Sequence, residues 1–275
     1  MSAATAHLRR AGAPAWARLP LALAVLLVLA AIAYPLTDGA ARDAVSWTIV
    51  LVGSAVSVTS AAAAHGARTA AAVLGLVVVA AVAFEAVGTA TGVPYGPYTY
   101  SDALGPTLLR VPFLVPLAWL MMAWPSRVLA VVLTRRVRPG RQRAARVVVA
   151  AAVFAGWDVV LDPQLVQAGY WTWAQPQPGL PGIDTVPLTN LGGWLLAGLV
   201  LMSLLDLAVA RTALPGGPRA GSGAAVAAPL LVIAWMVPGG ALAHALWLDL
   251  PGSAAWGAAL SVPVLVTLAV QARRP

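Results

Sequence analysis

The chain has 275 residues, 60% of them hydrophobic and only 9% charged, a balance that excludes a water-soluble globular domain and describes an integral membrane protein. Its net charge of +8 comes from 17 basic residues, all arginine, which flank apolar runs as topology signals do and form no patch suited to nucleic acid. With no cysteine, disulfides and thiolate metal sites are excluded too.

Taken in chain order, about eight apolar runs can cross roughly 30 Å of hydrocarbon. They are Leu19 to Tyr34, Val45 to Ala64, Thr69 to Val87, Val111 to Thr134, Val147 to Asp162, Leu191 to Ala210, Ala224 to Trp247 and Ala254 to Val270. The predicted fold is an all-α, polytopic helical bundle, a single membrane domain over residues 1–275. Ala31-Ile32-Ala33 after a basic start has the small-residue pattern of a signal-peptidase site, but with seven more spans behind it the first span is expected to stay uncleaved.

Arginine counting orients the bundle. Arg9, Arg10 and Arg18 precede the first span, Arg68 follows the second, and Arg135, Arg136, Arg138, Arg141, Arg143 and Arg146 separate the fourth from the fifth. Arg211 and Arg219 follow the sixth span and Arg273 and Arg274 close the chain, whereas the alternate connections carry only Arg42 and Arg110. Both termini are therefore expected in the cytoplasm. Arg127, beyond a predicted Trp124-Pro125 kink, stays unassigned inside the fourth span.

In that topology Glu85, Asp158, Asp162, Asn190 and His244 all fall at the non-cytoplasmic ends of four spans, where they can line one outward-facing pocket. Buried acids are costly in a bilayer and usually functional. Asp158 and Asp162, four residues apart, lie within about 5 to 6 Å on one helical face; like charges that close disfavour each other, so that one is a candidate acid and the other a candidate base. The structural alternative is that Asp162 caps a helix end before Pro163 while Asp158 bonds a neighbouring helix. Glu85, the only Glu, has helix-end solvation as its structural alternative. Asp206, at the opposite end of the sixth span, reads as a solvated helix-end charge within reach of Arg211, and a lone His244 is more often structural than chemical.

Two outer connections are rich in aromatic, Gly and Pro residues. Gly88 to Arg110 carries Tyr95, Tyr98 and Tyr100; Gln164 to Asn190 carries Tyr170, Trp171 and Trp173. Neither is a helix by its own chemistry. They form either an interfacial aromatic belt or a lid of aromatic faces over an apolar ligand. No glycine-rich phosphate motif, paired histidine spacing or Cys/His cluster signals a metal or nucleotide. Asp158-x-x-x-Asp162 matches by spacing the magnesium-diphosphate motif of membrane prenyltransferases, but the second aspartate-rich motif of those enzymes is missing.

Phe84-Glu85, Gly92-Val93-Pro94-Tyr95-Gly96-Pro97-Tyr98-Thr99-Tyr100, Gly105-Pro106 and Val111-Pro112 followed by Trp119, then Asp158 with Asp162-Pro163, Gly169-Tyr170-Trp171-Thr172-Trp173, Val186-Pro187-Leu188-Thr189-Asn190 and Gly193-Trp194 occur in one order. Over residues 84–206 the chain thereby resembles the carotenoid biosynthesis membrane family that includes CruF. The resemblance implies a hydratase that adds water to the terminal double bond of an acyclic carotenoid end, of the bisanhydrobacterioruberin or lycopene type, without cofactor or metal. Such a reaction needs an acid to protonate the less substituted carbon, a base to take a proton from the water that captures the tertiary cation, and aromatic faces beside that cation. In this expectation Asp158 is the acid, Asp162 or Glu85 the base, and Tyr170, Trp171 and Trp173 surround the cation. Asn190 holds water, and Tyr95, Tyr98 and Trp194 complete the substrate-binding wall. The expected partners are a long polyene, the lipid bilayer of the cell membrane and other carotenoid-forming enzymes, with no nucleic acid. A proton-coupled transporter using Glu85 and Asp158, and a carotenoid-binding or assembly protein without catalysis, stand as alternatives.

Overall fold

Helices make up most of the computed structural model, which describes residues 15–213 and 223–272. In order they are α1 (Leu19–Ala33) with a 3-10 turn Tyr34–Leu36, α2 (Gly39–His65), α3 (Ala67–Thr91), α4 (Leu114–Thr134), α5 (Pro139–Gln167), α6 (Leu188–Thr212), α7 (Gly223–Ala234), α8 (Gly240–Leu246) and α9 (Pro251–Ala272). A π turn, Trp235–Gly239, joins α7 to α8 within one span, and eight spans long and apolar enough to cross a membrane result. Arg9, Arg10, Arg219, Arg273 and Arg274, which entered the orientation count, lie outside the described residues.

Burial of apolar side chains cannot itself drive helices together in lipid, so close packing and interhelical hydrogen bonds carry more of the association. The α2 helix supplies both through a stripe of small residues. A side chain at Gly53 would collide with Met121 of α4 and Leu27 of α1. Ser54 Oγ donates to the Leu117 carbonyl at 2.8 Å, Ser57 Oγ to Met121 at 3.3 Å, and Ser60 Oγ to Ala225 of α7 at 2.6 Å. Each such bond contributes about 0.6 kcal/mol on average in a bilayer. Around this seam α4 packs on α2, α3, α5 and α7, while α5 packs on α4, α6 and α9.

Two boundaries differ from the sequence expectation in ways that matter for the site. The α5 helix does not stop at Asp162 but runs through Pro163 to Gln167, so both aspartates are interior residues and Asp162 is no cap. The same helix begins at Pro139, whose fixed φ suits a first turn, and this draws Arg141, Arg143 and Arg146 out of the supposed connection into the helix. There Arg146 Nη2 and Nε reach Asp206 at 2.6 and 2.7 Å, with Arg127 at 3.2 Å and Arg143 at 3.5 Å. Asp206 is therefore a buried tie between α4, α5 and α6 rather than a solvated charge, its partners are not Arg211, and Arg127 has found its role.

The aromatic connections contain short strands. β1 (Tyr98–Tyr100) pairs antiparallel with β4 (Trp171–Trp173), placing Tyr98 opposite Trp173, Thr99 opposite Thr172 and Tyr100 opposite Trp171. Between them β2 (Thr107–Leu108) and β3 (Val111–Pro112) form a second small ribbon. Both sequences, Tyr-Thr-Tyr and Trp-Thr-Trp, alternate with the strand period of two, so all four aromatic rings share one face and both threonines face out.

Candidate functional site

The loop end of the bundle is roofed by this aromatic ribbon, which is anchored from two sides. Gly92 ends α3 with φ of 75°, a left-handed conformation that glycine adopts without steric cost, and turns the chain over the helix end. On the far side a Cβ at Gly193 would lie 2.6 Å from the Tyr95 ring and 3.0 Å from the Pro94 carbonyl. The absence of a side chain there lets the Tyr95 loop rest directly on α6. Trp173 Nε1 donates to the Tyr95 carbonyl at 3.0 Å, tying the two connections together.

Beneath the roof is a cavity of about 410 Å³ with a predominantly apolar wall. Its aromatic lining includes Trp119, Trp157, Trp171, Trp173 and Trp194, with the Trp119 and Trp194 rings 5.0 Å apart. Two acids reach the wall. Glu85, on α3, is buried and accepts hydrogen bonds from Tyr98 and, at 2.7 Å, from Tyr100 on one oxygen, and from Trp119 Nε1 at 3.2 Å on the other. Asp162, on α5, accepts from Asn190 Nδ2 at 2.5 Å. The same amide donates to Asp158 at 2.8 Å, so one α6 side chain bridges both aspartates.

Asp158 does not line the large cavity. It faces a second void of about 20 Å³, closed by Leu180, Ile183, Val186 and Pro187, which has room for a single water. Its Oδ1 is buried without a hydrogen-bond partner among the described residues. The sequence-predicted residues Glu85, Asp162, Asn190, Tyr95, Tyr98, Tyr170, Trp171, Trp173 and Trp194 all meet on the large cavity. His244 is elsewhere: its ring joins Ser253 at 2.6 Å and Gln164 at 2.9 Å, a link between α8, α9 and α5.

The phenols on the wall are neutral donors. Burial first, and then the nearby Glu85, hold the Tyr95, Tyr98 and Tyr100 hydroxyls well above their ordinary pKa. For Tyr170 burial acts first and the hydrogen bond to Asp43, 2.5 Å away, adds to it. The hydroxyls of Tyr34 and Tyr95 and the indole N–H of Trp171 are buried on the wall with no hydrogen-bond partner among the described residues, with Gln164 near Tyr34 and Asp162 near Trp171, so these donors can turn to a polar atom in the cavity.

Several wall residues were not singled out as a site from the sequence. Tyr100 alternates with Tyr98 in a strand whose period was the available signal. Trp119 and Trp157 sit inside apolar helices, where an indole reads as core. Tyr34, Ser46 and Gln164 come from three different helices, and nothing local to any one of them marks their convergence.

Comparison with known proteins gives the family. Residues 45–264 match the family model described as carotenoid biosynthesis protein. Over 134 residues, 47% of the chain, the sequence is 36% identical to a bisanhydrobacterioruberin hydratase of Haloarcula japonica, of which the match spans 42%. No solved structure matches the chain. With the family model covering most of its length, from within α2 into α9, the chain belongs to the carotenoid biosynthesis protein family.

Proposed function

We propose that the protein is a hydratase of acyclic carotenoids in the cell membrane, adding water across the terminal carbon–carbon double bond of the polyene end. The observation that carries this reading is the pairing of two carboxyl groups, Glu85 and Asp162, on the wall of one apolar, indole-rich cavity where their partners are neutral groups. The named activity of the Haloarcula relative supports the reaction class.

In the proposed cycle the Asp162 carboxylic acid gives its proton to the less substituted alkene carbon, and the alkene π electrons form the new C–H bond. The tertiary cation left behind faces the indole rings, an interaction of about 2 kcal/mol where water is excluded. Water attacks the cation, and Glu85 takes the proton released as the C–O bond forms. One proton then returns from Glu85 to Asp162, and the phenols of Tyr95, Tyr98 and Tyr100 on the same wall are suited to pass it. This assignment moves the acid from Asp158, expected from sequence, to Asp162, because Asp162 borders the cavity. Asp158 is given a positioning role behind it, through the shared Asn190 amide. The unpartnered donors on the wall suit the incoming water and the product hydroxyl.

The test is incubation of the purified protein, in lipid, with an acyclic polyene in heavy water. The expected product gains the elements of one water per reacted end, with one solvent-derived deuterium on the carbon next to the new tertiary alcohol. A product without that deuterium removes the mechanism, and no product from any acyclic polyene removes the function. On the same reading, the arginine asymmetry supports a cytoplasmic Arg135 to Arg146 region and an outward-facing aromatic roof. Cysteines at Gln142 and Gln175 check this with an impermeant thiol reagent on intact cells: Gln175→Cys is expected to label, and labelling of Gln142→Cys alone inverts the assignment.

A further inference from the structure

The wall of the large cavity is buried or half-buried except at four residues, and these fall on two segments only. Ile32 is 44% and Leu36 66% exposed at the loop end of α1, and Leu242 is 53% and Trp247 54% exposed on and just after α8. The aromatic roof contributes no exposed residue to the lining: Tyr95, Tyr98, Tyr170 and Trp171 are all buried. The mouth of the cavity is therefore on the side of the bundle, and its rim is apolar.

The helix packing explains why the bundle parts there. The α1 helix packs against both α2 and α7, whereas its terminal 3-10 turn leans on α2. On the opposite side the π turn and α8 lean on α5 and α9. The change of course comes where Pro238, without an amide hydrogen, sits in the π turn, a type of helix irregularity that recurs at functional sites. Gly239 and Gly240 follow on the cavity wall, where a Cβ would lie 3.1 Å from the Trp235 ring and 3.0 Å from Val160.

We propose that this seam, between Ile32 and Leu36 on one side and Leu242 and Trp247 on the other, is a lateral portal through which one end of the polyene enters from the lipid while its stem remains in the bilayer. The inference rests on the hydratase reading for the identity of the occupant. A long conjugated chain is a stiff apolar rod that cannot coil inside a cavity of about 410 Å³. It dissolves in hydrocarbon, and the rim offers hydrocarbon contacts. Entry through the roof would instead require parting the paired strands β1 and β4 and drawing the rod through water.

Two measurements test the portal. The first compares kcat/KM for a long acyclic polyene and for a short isoprenoid with the same terminal group, in wild type and in the Leu36→Trp, Leu242→Trp double variant. Narrowing the rim is expected to lower the long-to-short ratio about tenfold, since the stem of the long substrate must occupy the seam and the short one can lie within the cavity. An unchanged ratio overturns the portal. The second does not need turnover: because the chain has no cysteine, Leu36→Cys alone is labelled with N-ethylmaleimide, with and without the long polyene. Protection at Leu36→Cys, and none at the lipid-facing control Val79→Cys, supports the portal even if hydration is never observed. Hydration by the wild type without such protection overturns the portal and leaves the hydratase reading intact.

Discussion

At one end of the bundle Asp206 is held by Arg127, Arg143 and Arg146; at the other, Glu85 and Asp162 on the cavity wall, and Asp158 behind it, are met by phenols, an indole and an amide. Asn190 and Asp206 are on the same helix, sixteen residues or about 24 Å apart, so the contrast is not one of fold or burial. It is one of company. Arginines compensate a carboxylate's charge and fix three helices around it, which makes a strut. Neutral donors orient a carboxyl group without compensating it, which leaves it able to give or accept a proton.

The sharpest way to break that comparison is to exchange its outcomes. Asp162→Asn and Glu85→Gln keep shape and lose the ionisable group, and are expected to lower hydration by about 10²- to 10⁴-fold, the usual share of a general acid or base. Both proteins should still insert and melt within a few degrees of wild type. Asp206→Ala should do the reverse, costing about 3 to 5 kcal/mol of stability because it strands buried arginine charge, while the folded fraction retains its turnover. Near-normal hydration by Asp162→Asn would return the acid to Asp158 or Glu85; loss of turnover in folded Asp206→Ala would erase the distinction between the ends.

How far the sequence reveals this contrast depends on the range of the interactions. Hydropathy runs along single helices, so the eight spans were visible, as was the gathering of Glu85, Asp162 and Asn190 at one end. The fifth apolar run ends at Asp162, before Pro163, yet α5 continues through the proline, since packing within a bundle can accommodate a freed carbonyl. The pairing of β1 with β4 joins segments more than seventy residues apart, and only the aromatic-Thr-aromatic alternation hinted at it. Arg127 and Asp206 looked unrelated because nothing in either helix reports the distance between them. The separation of Asp162 from Asp158, one on the cavity and one behind it, depends on how α5 is rotated against α6, and a spacing of four cannot show it.

A smaller effect sharpens the neutral-donor half of the comparison. Removing the hydroxyl of Tyr98 leaves Glu85 with Tyr100 and Trp119, so Tyr98→Phe should lower hydration by about tenfold, in line with the loss of one hydrogen bond to a buried acid. The same phenol has a pH signature. Its folded-state pKa lies above the ordinary value near 10 because of burial and then Glu85, so its contribution to stability is complete below pH 10 and is lost as the pH rises beyond it. Thermal melting should therefore be insensitive to this group between pH 7 and about 9.5 and fall above pH 10, less steeply in Tyr98→Phe. An equal alkaline fall in both proteins would detach Tyr98 from the effect.

The smallest expected effect separates a ring's face from its hydrogen bond. Trp171 and Trp173 occupy the same side of the ribbon, but the Trp173 indole N–H holds the Tyr95 carbonyl, whereas the Trp171 indole N–H, near Asp162, has no hydrogen-bond partner among the described residues. Phenylalanine keeps an aromatic face at either position and removes the N–H. If the rings act on the cation, alanine at either site should lower kcat by roughly tenfold, and Trp171→Phe should recover most of that loss. Trp173→Phe should recover less, because it also unties the two connections of the roof. Steady-state rates for the four variants in folded, inserted protein decide the matter: equal losses for Phe and Ala at position 171 would show that the wall there supports the roof without facing a cation.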